Sequence, residues 1–191
     1  MTFSPLAAQE LDARPDRLVQ AARELANDTG SAAFTVAQVT AQAELSLKSF
    51  YRCFRSKDEL LLALLAADSR LGANVLAARI GDRTGADGVH AYVIELFDML
   101  SLPGALGYAG VLVREYVRLA ELYRDELRAA LAPLLDLLAD QLDTEHPHRD
   151  ALTMFGVLVG GIHDIVVGRI DDTRELAEYL HEFCTRGVQG R

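Results

Sequence analysis

Cysteine is scarce in this sequence. Its 191 residues hold two, Cys53 and Cys184, far apart and without Cys-x-x-Cys spacing. That excludes a disulfide scaffold and a zinc ribbon, and two thiols that can both stay reduced fit a cytoplasmic protein. Positive charge is short as well: Lys+Arg total 19 against 28 Asp+Glu, a formal net charge of −9. A chain that coats nucleic acid or an anionic membrane by bulk charge would be basic, so those classes are excluded. Met1 to Asp16 lacks a basic segment followed by an apolar one, so no signal peptide is expected. The most apolar stretch, 152–167, is broken by His163 and Asp164 and falls short of the ~20 residues of a span. Period-2 alternation and short internal repeats are missing too. Half of the residues are nevertheless apolar, which excludes a disordered acidic chain.

What is present is helical texture from end to end, rich in Leu, Ala, Arg and Glu. Residues 1–14 read as a loose arm. A first helix starts at Pro15, with Asp16 near its positive dipole end, and stops at Gly30. Thr35-Val36-Ala37-Gln38 is a capping box that opens a second helix with Val36, Val39 and Ala43 inside. Ser46 caps a short third helix. Ser56-Lys57-Asp58-Glu59 reads as a second capping box, opening a long fourth helix to about Ile80. Gly81, Gly85 and Gly88 with Asp82 and Asp87 then predict a loop. Longer helices are expected over about 88–100, 105–120, 122–143, 149–168 and 172–186.

The short helices carry the chemistry. In residues 46–57, Leu47, Phe50, Tyr51 and Phe54 share one helical face, which should pack on the first two helices. Lys48, Ser49 and Arg52 lie opposite, and Arg55 and Lys57 follow. Lys48 and Lys57 are the chain's only lysines. A two-turn helix projecting Lys, Ser and Arg suits the major groove. Hydroxyls of Thr35, Ser46 and Tyr51, with Lys57, suit phosphate oxygens. A solvated basic helix face has the same pattern, so the residues alone leave both readings open.

Residues 15–65 resemble the DNA-binding region of TetR-family transcriptional regulators. The resemblance rests on Gly30, Thr35, Val39, Ala43, Leu45-Ser46, Phe50-Tyr51, Phe54 and Ser56-Lys57-Asp58-Glu59-Leu60. It covers about a quarter of the chain closely. The rest matches only as a helical region of suitable length. The resemblance implies an all-α fold: an N-terminal three-helix helix-turn-helix domain, joined by a long helix to a larger helical ligand-binding and dimerisation domain. The boundary is expected at residue 60, giving domains 1–60 and 61–191. It implies DNA contacts from Thr35, Ser46, Lys48, Ser49, Tyr51, Arg52 and Lys57. Two positions depart from the family pattern. Glu44 stands where glycine is frequent; a left-handed backbone there costs Glu about 1 kcal/mol relative to Gly. Cys53 stands where His or Tyr is frequent, so one phosphate contact is expected to be missing.

Beyond residue 80 no catalytic signature stands out: no phosphate loop, no His-Glu-x-x-His and no nucleophile elbow. His163-Asp164 point about 100° apart on a helix, which suits structural roles. Segment 151–167 is apolar on all sides, so it needs cover on all sides. Gly160-Gly161 would let another backbone approach. Val157, Gly161, Ile165, Leu176 and Leu180 are therefore expected at a homodimer interface, with an ordinary core helix as the alternative. Aromatic and sulfur side chains cluster at Tyr92, Phe97, Met99, Tyr108, Tyr116, Tyr123, Met154 and Phe155. From these, Tyr92, Met99, Tyr116 and Phe155, with His163, are the expected ligand contacts. Arg114 and Arg118 could bind an acidic ligand, or Arg118 could pair with Glu115 or Glu121.

The expectation is a cytoplasmic homodimeric repressor without cofactor or metal, not an enzyme and not on a membrane. It would be released from a pseudo-palindromic double-stranded DNA operator by a small apolar or amphipathic effector. Effector-independent regulation, or activation, by the same fold is the alternative. An enzyme or carrier retaining a relic DNA-binding motif is a more distant one. The charge fits: Lys48, Arg52, Arg55 and Lys57 against Glu44 make residues 44–57 +3, which leaves −12 for the rest of a chain at −9. A basic tip on an acidic body can meet a duplex without coating it.

Overall fold

The computed structural model describes residues 13–189, which form nine helices and no strand. They are α1 (Arg14–Thr29), α2 (Val36–Gln42), α3 (Leu47–Cys53), α4 (Lys57–Ile80), α5 (Gly85–Leu100), α6 (Ala105–Leu122), α7 (Arg124–Ala139), α8 (Pro147–Val166) and α9 (Thr173–Gln189). The proposed arm lies almost wholly outside the described residues; its last residue, Arg14, already belongs to α1.

The first four helices begin and end where their caps dictate. Pro15 sits in the first turn of α1, and Gly30 ends it with φ 61°. The Thr35 capping box is complete: the Gln38 amide donates to Thr35 Oγ1, and the Thr35 amide donates to Gln38 Oε1 at 2.8 Å. Ser46 caps α3 by accepting from the Ser49 amide. At Ser56 only half of the expected box forms. Ser56 Oγ accepts from the Glu59 amide, but the Glu59 carboxylate turns to the Arg55 amide instead of Ser56.

The turn between α2 and α3 closes with two backbone bonds, from Glu44 to Ala41 O and from Leu45 to Thr40 O at 2.8 Å. This paired closure requires a left-handed residue at the position of Glu44. Glu44 has φ 52°, and among the described residues it is the one non-glycine with positive φ. Arg17 Nη2 donates to the Ala43 carbonyl at 2.6 Å and holds the turn against α1. The Glu44 carboxylate is 4.0 Å from Arg17 and 88% exposed, too open to offset the strain. Glu44→Gly should therefore stabilise the protein by about 1 kcal/mol, raising the thermal midpoint by about 2–4 °C. An unchanged or lower midpoint in a calorimetric melt would show that the turn is unstrained.

Side chains from α1–α3 meet in a small core of Leu18, Ala22, Val39, Phe50 and Phe54. Leu47 and Tyr51, expected to pack there, are 50% and 60% exposed. The helix is too short for four positions to reach one small core, so Phe50 and Phe54 fill it alone. Helix α4 is the one described helix long and apolar enough to cross a membrane. Here it is a core helix, with Leu60, Leu61, Leu64 and Leu76 buried among α1, α5, α6 and α7. The glycine-rich segment after it is a loop only to Thr84. Gly85 and Gly88 belong to α5, where a Cβ at Gly88 would lie 2.1 Å from Gln141 Oε1.

Candidate nucleic-acid interface and internal cavity

Helix α3 stands at the surface of the small head. Lys48, Tyr51 and Arg52 are exposed, Ser49 is half-buried, and among the described residues none of the three cations Lys48, Arg52 and Arg55 is held in an ion pair. The N-terminal hydroxyls are engaged with one another: Ser46 Oγ lies 3.0 Å from Ser49 Oγ. Thr35 is exposed but its hydroxyl is part of its cap. Lys57 differs from the expectation of a free phosphate contact. Its Nζ donates to the Ala32 carbonyl and sits 4.9 Å from the centre of the Phe34 ring, so it ties the α1–α2 loop to α4. Cys53 is a free, half-buried thiol.

A cavity of about 340 Å³ lies between α4, α5, α6, α7 and α8. Its wall is overwhelmingly aliphatic, as expected for a site that takes an apolar ligand. Met99, Tyr116 and Phe155 line it, and the Tyr116 and Phe155 rings meet edge to face at 6.5 Å. Tyr92 and His163 do not line it. Tyr92 is fully buried in the α5–α7 seam, where its hydroxyl donates to Leu134 O at 3.2 Å and burial pushes its pKa up. His163 is one residue beyond the lining Ile162, and that 100° step turns it off the wall.

Arg23, Asp68, Ser69 and Tyr108 supply polar groups at the cavity wall. Arg23 of α1 donates from Nε and Nη2 to Asp68 Oδ1 of α4 at 2.8 and 2.6 Å. Tyr108 of α6 donates to Asp68 Oδ2 at 2.5 Å. Burial pushes the Tyr108 phenol up, and the adjacent Asp68 charge adds to the shift. Burial alone would lower Arg23, but the hydrogen bond and charge of Asp68 outweigh it and the guanidinium stays ionised. Ser69, beside them on the wall, has a buried hydroxyl without a partner among the described residues. A carboxylate directly after the Ala/Leu run 60–67 was the available signal; nothing local pointed to Arg23, 45 residues earlier.

Helix α6 thus faces the cavity on one side and grips the head on the other. Besides Tyr108, its Arg114 donates to Gly30 O at the end of α1 at 2.8 Å. Its Arg118 bridges Glu115 at 2.8 Å and Asp58, at the start of α4, at 2.6 Å. Arg114 and Arg118 are therefore engaged outside the cavity and do not form an acidic-ligand site.

Four of the five residues expected at a dimer interface are buried inside the protomer. A Cβ on Gly161 would lie 2.5 Å from Leu180 Cδ1, so this glycine admits the chain's own α9. Ile165, Leu176 and Leu180 are buried with it, and only Val157 is half-exposed. The outward side of the same two helices carries Leu152, Gly156, Gly160, Tyr179 and Phe183, with the Tyr179 and Phe183 rings stacked at 6.3 Å. Periodicity showed that these helices are covered on several sides but not which side the protomer itself covers.

The described residues thus form an all-helical structure with a helix-turn-helix head and an apolar cavity in the helical part that α6 ties to it. Residues 18–64 match the family described as "Bacterial regulatory proteins, tetR family". The match covers the helix-turn-helix head and the start of α4, so this part of the chain is similar to the DNA-binding region of that family. The fold is shared with a TetR transcriptional regulator from Rhodococcus sp. RHA1, at 19% identity over 92% of this chain and 96% of that one, TM-score 0.73. It is also shared with the FadR regulator of Bacillus subtilis in complex with stearoyl-CoA, at 18% identity over 90% and 98%, TM-score 0.69. The multidrug binding protein EbrR complexed with ethidium matches at 24% identity over 91% and 96%, TM-score 0.66. No curated protein matches the sequence.

Proposed function

We propose that the chain is a homodimeric repressor that leaves a pseudo-palindromic operator when an apolar or amphipathic molecule enters the cavity. One observation carries this reading: the helix that lines the cavity, α6, also holds α1 and α4 of the head through Tyr108, Arg114 and Arg118. A ligand seated against Tyr108 and Tyr116 shifts that grip, and with it the angle of α3. A differential affinity of about 1–3 kcal/mol between the two states suffices for a switch. The cavity favours this over effector-independent regulation. Stearoyl-CoA and ethidium in the two related folds support a ligand that is largely apolar. The aliphatic wall supports the same, with Ser69, Asp68 and Tyr108 as its polar handles.

Lys48, Ser49 and Arg52 read base edges, while Thr35, Ser46 and Tyr51 meet phosphates; Lys57 acts through the fold of the head. The DNA-binding domain ends near residue 60, within the first turn of α4, and the remainder to 191 holds ligand and partner. The dimer forms through the outward side of α8 and α9, centred on Gly156, Gly160, Tyr179 and Phe183, where Val157 and Phe183 border a shared groove. Two heads would then reach successive major grooves about 34–36 Å apart. A chromosomal target places the protein in the cytoplasm.

The test is selection of bound sequences from random duplex DNA by the full chain, followed by gel-shift titration. The expected product is an inverted repeat, bound with marked salt dependence and with weak affinity for random DNA. Lys48→Ala and Arg52→Ala should each weaken binding about 5- to 150-fold, for a loss of about 1–3 kcal/mol, with circular dichroism unchanged. Wild-type affinity in both variants, or tight binding to any sequence at physiological salt, would overturn the assignment.

A further inference from the structure

Away from the cavity and the head, three metal-ligating side chains converge where α9 packs on α5. His90 Nε2 lies 3.0 Å from Glu178 Oε2, and the His90 and His181 rings meet edge to face at 4.7 Å. One donor atom from each of His90, Glu178 and His181 falls within 4.8 Å of the other two. We propose that these three residues form a binding site for a divalent transition-metal ion of the zinc class, which clamps α9 onto α5.

The local sequence builds half of the site. Glu178 and His181 are three apart on α9, which puts them on one face of the helix one turn apart. His90, in the second turn of α5, faces them from the neighbouring helix. Two imidazoles and one carboxylate suit zinc, cobalt or nickel; magnesium and calcium prefer an all-oxygen shell. At zinc–ligand distances near 2.1 Å, tetrahedral donor atoms stand about 3.4 Å apart, so side-chain rotations of about an ångström close the site. A water would complete the coordination.

A plain His90–Glu178 hydrogen bond does not account for the third member. His181 Nε2 is buried and, among the described residues, has no hydrogen-bond partner. A buried ring nitrogen without a partner is destabilising, and a metal ion uses its lone pair directly. The carboxylate is oriented from behind: Arg174 Nε is 3.5 Å from Glu178 Oε1 and leaves Oε2 to the histidines. Arg174 is itself held by Asp98 at 3.2 Å. Such outer contacts fix the geometry of metal ligands.

The test uses the full chain with cobalt(II) and zinc(II) as probes. Cobalt should give a visible d–d absorption band that saturates at a single ion per chain and is displaced by zinc. His90→Gln and His181→Gln should each weaken binding about 100-fold or more; His146→Ala, at the cap of α8, and His148→Ala, in its first turn, should leave it unchanged. Zinc should raise the thermal midpoint of the wild type, and a chelator should reverse it. Glu178→Gln, at a half-exposed position, serves if a histidine variant does not fold. No band, a band that survives these substitutions, or one lost with His146 or His148 would overturn the proposal. None of these outcomes depends on DNA binding.

Discussion

Phe50→Ala should unfold the DNA-binding head while leaving every exposed cation in place. Phe50 is fully buried, with Phe54 at 5.8 Å and Tyr51 at 5.3 Å between ring centres. It is the main anchor of a seven-residue helix that cannot persist without tertiary contacts. Truncating a buried Phe costs about 3–5 kcal/mol, which corresponds to a fall of about 6–20 °C for a chain of this size. The head has only a few other large side chains to close the void, so the upper half of that range is expected. Thermal melting and gel-shift titration on the same preparation test this. Operator affinity should vanish although Lys48 and Arg52 remain. A melt within 2–3 °C of wild type would mean that Phe50 is not the anchor of α3.

Removing the Asp68 carboxylate should be nearly as damaging, for an electrostatic reason. Asp68 accepts from both Arg23 and Tyr108 at the cavity wall, and its side chain is 13% exposed while that of Arg23 is 27% exposed. Asp68→Asn keeps the volume but leaves the guanidinium without its counter-charge. Breaking a buried pair costs about 3–5 kcal/mol. Partial exposure of Arg23 brings the expectation to about 2–3 kcal/mol. Replacing both charges should be far milder, because the lone-charge penalty disappears. Urea denaturation of Asp68→Asn, Arg23→Met and Arg23→Met/Asp68→Asn closes the cycle. The double variant should recover most of the stability lost in Asp68→Asn, yet lose the polar link between α1 and α4. A double variant as unstable as Asp68→Asn would show that packing, and not charge, holds this corner.

The two sites differ in how far they could be read without a fold. At the head, Thr35, Ser46, Ser56 and Gly30 mark helix ends within a few residues of themselves, and all four mark them in the structure. Glu44 showed as an anomaly against a family resemblance and proves to be a left-handed turn residue. The partners of Lys57, Ala32 and Phe34, lie about twenty-five residues away, beyond the reach of any local pattern. In the larger helical part, Met99, Tyr116 and Phe155 line the cavity, whereas Tyr92 and His163 do not. All five sit in apolar surroundings, and amphipathicity reports burial alone. Whether a buried side chain meets another helix or a void depends on how five helices fill space together.

The same division holds for charge. The acidic sequence with its +3 segment at 44–57 determined by itself that any duplex must be met locally, by a tip carrying Lys48 and Arg52. Helix starts, stops and the turn before α3 were likewise settled within the chain's nearest neighbours, because caps and turns act over three or four residues. Only the tertiary structure decided that Gly161, Ile165, Leu176 and Leu180 face inward. It alone brought Arg23, Asp68 and Tyr108 to one corner, and His90 to Glu178 and His181. Arg23, Asp68 and Tyr108 are at least 40 positions apart and His90 is 88 from Glu178, and close approach over such separations is set by packing, which no local pattern encodes.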